Sequence, residues 1–234
     1  MANVIKLRKG LDVNLKGKAA KEEFQVKKPA VYALMPDDFT GMKPKVVVKE
    51  NDVVKVGDAL FVDKNHPEIK FVSPVSGRVT MVERGDRRKV LSVRVEADAE
   101  LQYVDFGKKS AGQMTAQEVK ALLLESGLFA FFKQRPYDVT ANPTDTPKAI
   151  FVSAFNSMPL AADFEYVLRG READFQAGLD ALAKMAKTYL GVSSKQTATA
   201  LTAAKNVEIN FFDGPAPAGN VGVQINHIFS YKQR

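Results

Sequence analysis

The side chains best suited to chemistry lie in one short aromatic segment, residues 129–137. It combines four aromatic rings with two cations, namely Phe129, Phe131, Phe132, Tyr137, Lys133 and Arg135. Aromatic faces stack on a flat apolar ring, and a cation or an N–H donor polarises the carbonyl oxygens of that ring. The segment therefore suits a quinone. A second interpretation stays open, in which alternate phenylalanines fill a core between two halves of the molecule while Lys133 and Arg135 remain in water.

Composition limits the other chemistry that this chain can perform. The 234 residues contain no cysteine, which excludes disulfides, a thiolate nucleophile and cysteine-ligated iron–sulfur clusters. The two histidines, His66 and His227, lie far apart in the sequence without a carboxylate at ligand spacing, so we expect no metal site. No carboxylate pair or histidine–carboxylate couple stands out, and we therefore predict no catalytic residue.

The chain is basic, with a net charge of +7 and a pI near 9.4. Such an excess favours an anionic partner, but the lysines are dispersed, and the densest group, residues 84–89, reads as a turn between two strands. We expect no nucleic-acid partner. The first twenty residues lack an apolar core, so no secretory signal is expected. No run of about 20 apolar residues is present, so any membrane association should depend on partners.

The first half of the chain is predicted to be almost entirely β. Residues 46–81 carry short β-branched runs separated by turn residues, a pattern typical of half-buried strands joined by tight turns. The order of these residues resembles the biotinyl/lipoyl-type barrel-sandwich hybrid. In that fold, the resemblance implies, Gly57 makes the first sharp turn, and Pro74 with Gly77 shapes the return strand.

That fold usually forms a carrier domain, whose hairpin tip presents a lysine to biotin or lipoate. Here the tip falls near residues 65–67, and the nearest lysines, Lys64 and Lys70, lie on its arms without a neighbouring methionine. We therefore predict a scaffold that uses the fold for its shape. A modified carrier or a small-ligand-binding module remains the alternative.

The second half is predicted to be a three-layer α/β domain with a Rossmann-like parallel sheet. A capping box, Thr115 with Glu118, opens a helix after a linker at 105–114. Strands then alternate with helices, which favours parallel pairing: strands 149–154, 189–192 and 207–212, helices 163–187 and 197–205, and a final loop and strand at 214–231. No glycine-rich phosphate loop follows the first of these strands, which disfavours dinucleotide binding. The predicted domains are 1–104 and 115–234.

Three segments together point to one family. They are residues 5–12 (IKLRKGLD), the barrel-sandwich stretch, and residues 211–226 (FFDGPAPAGNVGVQIN). The chain resembles the NqrA subunits of bacterial sodium-translocating NADH:quinone reductases, whose glycine–proline loop is matched at Gly214, Pro215 and Gly219. Subunits of that family continue into a β-grasp domain and a further C-terminal part. We therefore expect this chain to be the N-terminal part of a longer protein.

The resemblance implies a peripheral subunit on the cytoplasmic side of the bacterial inner membrane, docked on membrane subunits that couple quinone reduction to Na⁺ transport. That family is in turn similar to the flavin-binding chain of complex I and to the related Rnf subunit. Ser126, Gly127 and Leu128 match those relatives, but residues 129–136 contain no glycine that would let backbone amides approach FMN. We therefore expect no flavin and no iron–sulfur cluster here, and quinone only as a substrate of the complex. A flavoprotein of the Rnf or complex I type remains the other alternative.

Overall fold

The computed structural model describes residues 4–17 and 20–229, which contain thirteen strands and five α-helices. The strands are β1 Val4–Lys6, β2 Val31–Leu34, β3 Pro44–Val46, β4 Val53–Val54, β5 Ala59–Asp63, β6 Lys70–Val72, β7 Gly77–Arg84, β8 Val90–Ala97, β9 Lys133–Gln134, β10 Val139–Thr140, β11 Ile150–Ser153, β12 Thr188–Ser193 and β13 Glu208–Asp213. The helices are α1 Ala116–Glu125, α2 Phe164–Val167, α3 Glu172–Met185, α4 Thr199–Thr202 and α5 Val221–Ile228.

The described residues group into two compact units. The β unit comprises residues 25–108 and 120–146, and the α/β unit comprises the described residues up to 24, residues 109–119 and residues 147–229. These boundaries differ from the predicted division at 1–104 and 115–234. The reason is β1, which pairs in parallel with β13, so that Val4 lies opposite Phe211. The opening strand therefore belongs to the sheet formed by the last part of the chain.

The β unit is built from antiparallel sheets with the orders β2-β8-β7-β4 and β3-β5-β6, together with the short hairpin β9–β10. β7 and β8 form the predicted hairpin around the basic turn at 84–89. Alternating apolar side chains of these strands fill the core, of which the most buried are Leu60, Phe61, Ile69, Phe71, Val79, Val93 and Val95. Burial of each large apolar side chain contributes about 2 kcal/mol, and this is the main stabilising contribution here.

The α/β unit contains a four-stranded sheet with the order β1-β13-β12-β11, and every pairing in it is parallel. The prediction of parallel pairing is therefore confirmed. Leu190 and Val192 of β12 are fully buried and pack with Leu179 of α3 and Leu201 of α4. Because parallel strands place their carboxyl ends at one edge of the sheet, the loops that follow β1, β11, β12 and β13 meet at that edge.

Two predicted helices are shorter in the structure. The helix expected at 163–187 is divided into α2 and α3 by a turn around Gly170, which adopts a left-handed φ of +76°. The helix expected at 197–205 is reduced to α4. Apolar spacing at 3.6 residues continues across residue 170, so periodicity alone did not reveal the interruption; glycine is the residue that admits it at low cost.

The prediction of loop and strand for residues 214–231 is wrong, because residues 221–228 form α5. Asn220 caps this helix by accepting a hydrogen bond from the backbone N–H of Gly222 at 2.8 Å. Val221, Ile225 and Ile228 follow at helical spacing. The glycine and proline residues that suggested a loop are concentrated at 214–219, before the helix begins.

The capping box at the start of α1 is confirmed. Thr115 donates its backbone N–H to Glu118 Oε2 at 2.8 Å, and Glu118 donates its backbone N–H to Thr115 Oγ1 at 3.3 Å. The ion pair with Lys109, followed by the hydrogen bonds from Thr115, lowers the pKa of Glu118 to about 2. The carboxylate therefore stays ionised and keeps the helix start closed well into the acidic range.

Candidate functional site

The first candidate site is the hairpin tip where a carrier domain would present its lysine. β5 and β6 form this hairpin, with Val62 opposite Lys70, so the loop between them spans residues 64–69. Lys64 donates its backbone N–H to the Lys43 carbonyl at 2.7 Å, and Lys70 lies within β6. Both lysines are thus at the ends of the loop and not at its centre, as the sequence predicted.

The two histidines occupy ordinary local environments. The Nδ1 atom of His66, in the tip loop, lies 3.7 Å from Glu68 Oε1, and the Nδ1–H of His227 in α5 can donate to the Val223 carbonyl at 2.9 Å. Among residues 4–17 and 20–229 there is no group of three histidine, aspartate or glutamate side chains that could hold a metal ion. The expectation of no metal site stays a prediction.

The predicted turn residues of the β unit shape the two loops that flank β6. Gly57 has a φ of +99° and donates its N–H to the Ser73 carbonyl at 3.0 Å. Pro74 follows in the turn that Ser73 closes, where the Ser73 hydroxyl donates to the Val75 carbonyl at 2.6 Å. Gly77 begins β7 with a φ of +150°, and a Cβ at this position would collide with the carbonyl of its neighbour across the strands, Glu96.

The aromatic segment begins with a 3₁₀ turn, Leu128–Phe131, that follows the left-handed Gly127 at the end of α1. Because side chains three residues apart lie above one another in a 3₁₀ turn, Phe129 and Phe132 point to the same side. Their rings stack with centroids 5.4 Å apart, and both pack into the core of the β unit. Phe131 points the other way, and 69% of its surface is exposed.

The rest of the segment forms the β9–β10 hairpin. Tyr137 lies in the hairpin loop and is 75% exposed, and Lys133 is also exposed. Arg135 is half-buried, and its Nη2 atom lies 3.4 Å from Asp138 Oδ1. The segment therefore divides into two core rings and an exposed group of Phe131, Tyr137 and the two cations.

Sequence reasoning missed one member of this surface, Phe39. Its ring packs edge-on against Phe71 in the core at 4.5 Å and also contacts Phe131 at 6.1 Å, so it connects the exposed ring to the interior. Phe39 is separated from the aromatic segment by about ninety residues, and no local pattern could have joined them. The adjacent Leu128 adds a further exposed apolar side chain, at 53%.

The second candidate site is the glycine–proline loop, residues 213–220, at the carboxyl edge of the parallel sheet. The segment after β1 is bonded to it, since Leu7 donates to the Asp213 carbonyl at 2.8 Å and Leu11 donates to the Ala216 carbonyl at 3.0 Å. Gly214 adopts a φ of +140° beside Leu7. The loop is therefore fixed by the opening residues of the chain.

The backbone donors of this loop are already engaged. Ala216 donates to Asp12 Oδ1 and Gly219 donates to Ser157 Oγ, at 2.9 and 3.0 Å. Ala218 and Asn220 donate to carbonyls within the loop, and the remaining positions 215 and 217 are prolines without an N–H. Carboxyl-edge loops commonly bind phosphates through free backbone N–H groups, and this loop offers none between residues 215 and 220.

A cavity of about 260 Å³ lies elsewhere in the α/β unit. Its walls are formed by residues on either side of α2 and by α4: Glu165, Leu168, Arg169, Glu172, Ala198, Thr199, Ala200 and Leu201. None of the predicted site residues lines it. Across the part of the chain that the structure describes, no helix is long and apolar enough to span a bilayer.

Comparison with known protein families gives two adjoining matches. Residues 5–98 match the family described as the NqrA N-terminal barrel-sandwich hybrid domain, and residues 114–234 match the NqrA second alpha/beta domain. The barrel-sandwich hybrid prediction and the α/β prediction are confirmed at this level.

Individual relatives are all named as the NqrA component of a Na(+)-translocating NADH-quinone reductase. The proteins from Yersinia pseudotuberculosis serotype O:1b and Actinobacillus pleuropneumoniae serotype 5b are 36% and 34% identical over 231 residues, and that of Vibrio vulnificus is 35% identical over 229 residues. The alignments cover 96–97% of this chain and 51% of each relative. The chain thus spans about half the length of the curated relatives it matches.

Proposed function

This chain belongs to the NqrA family, and we propose that it acts as the peripheral NqrA component of a sodium-translocating NADH-quinone reductase, where it supports quinone reduction coupled to Na⁺ transport. The observation that carries the proposal is the pair of family matches, which follow one another along the chain in the order of the family's own domains. The proposed location is the cytoplasmic face of the bacterial inner membrane, reached through the membrane subunits.

Within this role we propose a subunit without a redox cofactor of its own. Two features support this: the sequence has no cysteine to ligate a cluster, and the loop after α1 has phenylalanines where a flavin site would need glycines. We further propose that the β unit is lipoyl-like and the α/β unit Rossmann-like. The paired antiparallel sheets and the four-stranded parallel sheet with intervening helices support these assignments.

The proposed role predicts binding to the rest of the complex. A reductase preparation from a bacterium that lacks NqrA should bind the purified chain saturably and in equal stoichiometry, as measured by co-sedimentation or biolayer interferometry. A complex that already contains its own NqrA should not bind the chain, because the position is occupied. Equal binding to both preparations, or to neither, would contradict the proposal.

We also propose that the exposed part of the aromatic segment contacts quinone, with Phe131 and Tyr137 against the ring and Arg135 or Lys133 near a carbonyl oxygen. Phe129 and Phe132 would then act from the core, where their stacking fixes the turn that presents Phe131. The support is geometric: two exposed rings and two cations lie within nine residues of one turn and hairpin.

Calorimetric titration with a short-chain ubiquinone tests this contact. We expect saturable binding by the chain, and at least about tenfold weaker binding by Phe131→Ala/Tyr137→Ala, because the two exposed rings supply the stacking surface. Tyr103→Ala is the matched control, since Tyr103 is a similarly exposed aromatic of the β unit outside the segment, at 64%. Three identical titrations, or no binding by the unaltered chain, would refute a quinone contact here.

A further inference from the structure

Residues 13–28 form an extended segment, called here the arm, of which residues 13–17 and 20–28 are described. These described residues contain no helix or strand and make no backbone–backbone hydrogen bond. The chain is fixed on both sides of the arm: Asp12 accepts from the Ala216 N–H at 2.9 Å, and the Ala30 carbonyl accepts from the Ala97 N–H at 2.8 Å. Between these fixed points the described backbone donors and acceptors have no backbone partner in the chain.

The arm also exposes large apolar side chains. Phe24 and Val26 are 87% and 73% exposed, and Val13 and Leu15 are more than half exposed. Single exposed apolar residues are common on protein surfaces, but a run of them in an unpaired segment marks an interaction site. Burial of each such side chain would contribute about 1.5–3 kcal/mol to binding.

The apolar residues of the arm alternate along the sequence. Val13 and Leu15 are two positions apart, and so are Phe24 and Val26. In an extended chain, residues two apart lie on the same face, so each pair forms a small apolar face as in a half-buried strand. The arm therefore has the side-chain pattern of a strand and lacks only the neighbour that would pair with its backbone.

The charge of the arm indicates the chemistry of that neighbour. The arm contains five lysines and two glutamates, which gives +3 of the chain's total +7. One of these lysines, Lys21, pairs with Asp163 at 2.5 Å, but the pair is exposed and contributes little. A partner that approaches the arm should thus present acidic side chains.

We propose that the arm is a docking strand, which adds to an open sheet edge of another subunit of the reductase and places its lysines against acidic side chains there. Strand addition satisfies the unpaired backbone groups, while alternate side chains enter pockets of the partner. A lipid bilayer fits less well, because an extended backbone cannot satisfy its own N–H and C=O groups in hydrocarbon. This inference rests on the proposed function, since the partner belongs to the same complex.

The test uses the reductase preparation that lacks NqrA and two double variants of the chain. Phe24→Ser/Val26→Ser removes the more exposed apolar pair and is expected to weaken binding at least about tenfold. Met158→Ser/Leu160→Ser removes an equally exposed pair outside the arm, at 60% and 69%, and should bind as the unaltered chain does. Equal thermal unfolding of all three chains shows that the substitutions leave the folded units intact.

Amide hydrogen exchange distinguishes strand addition from contact through side chains alone. In the free chain the amides of the arm should exchange rapidly, and in the complex alternate amides should slow by about tenfold or more. Binding of the arm variant at unaltered affinity, or unchanged exchange across residues 13–28, would overturn the docking strand while the proposed function stands. Failure of the unaltered chain to bind at all would remove both.

Two further outcomes would assign the arm to another occupant and also overturn the proposal. One is loss of binding by Phe24→Ser/Val26→Ser to vesicles of equal parts phosphatidylcholine and phosphatidylglycerol, with binding to the reductase preparation unchanged. The other is self-association of the unaltered chain that the same variant abolishes, as measured by analytical ultracentrifugation.

Discussion

Replacement of Phe71 by alanine is expected to lower the unfolding free energy of the β unit by about 3–5 kcal/mol. Phe71 is 1% exposed and lies at the centre of an aromatic cluster. Its ring stacks on Phe61 at 5.0 Å and meets the edge of Phe39 at 4.5 Å. Because the surrounding strands are held by antiparallel pairing, they can close only partly around the lost ring, and a cavity remains.

Urea unfolding followed by a probe in the β unit measures this loss, and Phe131→Ala is the matched control. Phe131 contacts the same neighbour, Phe39, but is 69% exposed. We expect Phe131→Ala to cost less than about 1 kcal/mol, since most of its surface already contacts water. Comparable losses for the two variants would mean that the exposed ring has a structural role, and the quinone proposal would lose its main residue.

The parts of the fold that could be predicted from the sequence are those fixed by local chemistry. The basic turn at 84–89 joins two β-branched runs, and the capping box at Thr115 is complete within four residues. The pairing of β1 with β13 could not be predicted in the same way, because about two hundred residues separate Val4 from Phe211. No property of residues 4–6 distinguishes a strand of the nearer sheet from a strand of the farther one.

The candidate site shows a second limit of sequence reasoning. The spacing of Phe129, Phe131 and Phe132 identifies an aromatic cluster but not which rings enter the core. Alternation would group Phe129 with Phe131, whereas the 3₁₀ turn groups Phe129 with Phe132. Gly127, which turns the chain left-handed at the end of α1, sets this geometry, so the side-chain directions depend on a backbone conformation and not on the hydrophobic pattern.

The glycine–proline loop yields the second prediction of large effect, Gly214→Ala. Gly214 adopts a φ of +140°, and an added Cβ would lie 2.5 Å from the Leu7 carbonyl oxygen. The backbone strain costs about 1–3 kcal/mol, and relief of the clash requires that the segment after β1 move away from the loop. We therefore expect the α/β unit to lose about 2–5 kcal/mol of unfolding free energy.

Gly170→Ala separates the steric contribution from the backbone strain. Gly170 also has a positive φ, of +76°, but no atom lies within 4 Å of its Cβ position, so only strain of about 1–2 kcal/mol applies. Chemical denaturation with a probe in the α/β unit compares the two variants, and amide exchange at Leu7 and Leu11 reports whether their hydrogen bonds to the loop open. If Gly214→Ala is no more destabilising than Gly170→Ala, then the opening segment does not hold the loop rigidly. If Gly214→Ala alone exposes these two amides, the opening residues and the glycine–proline loop form one structural element, although they lie at opposite ends of the sequence.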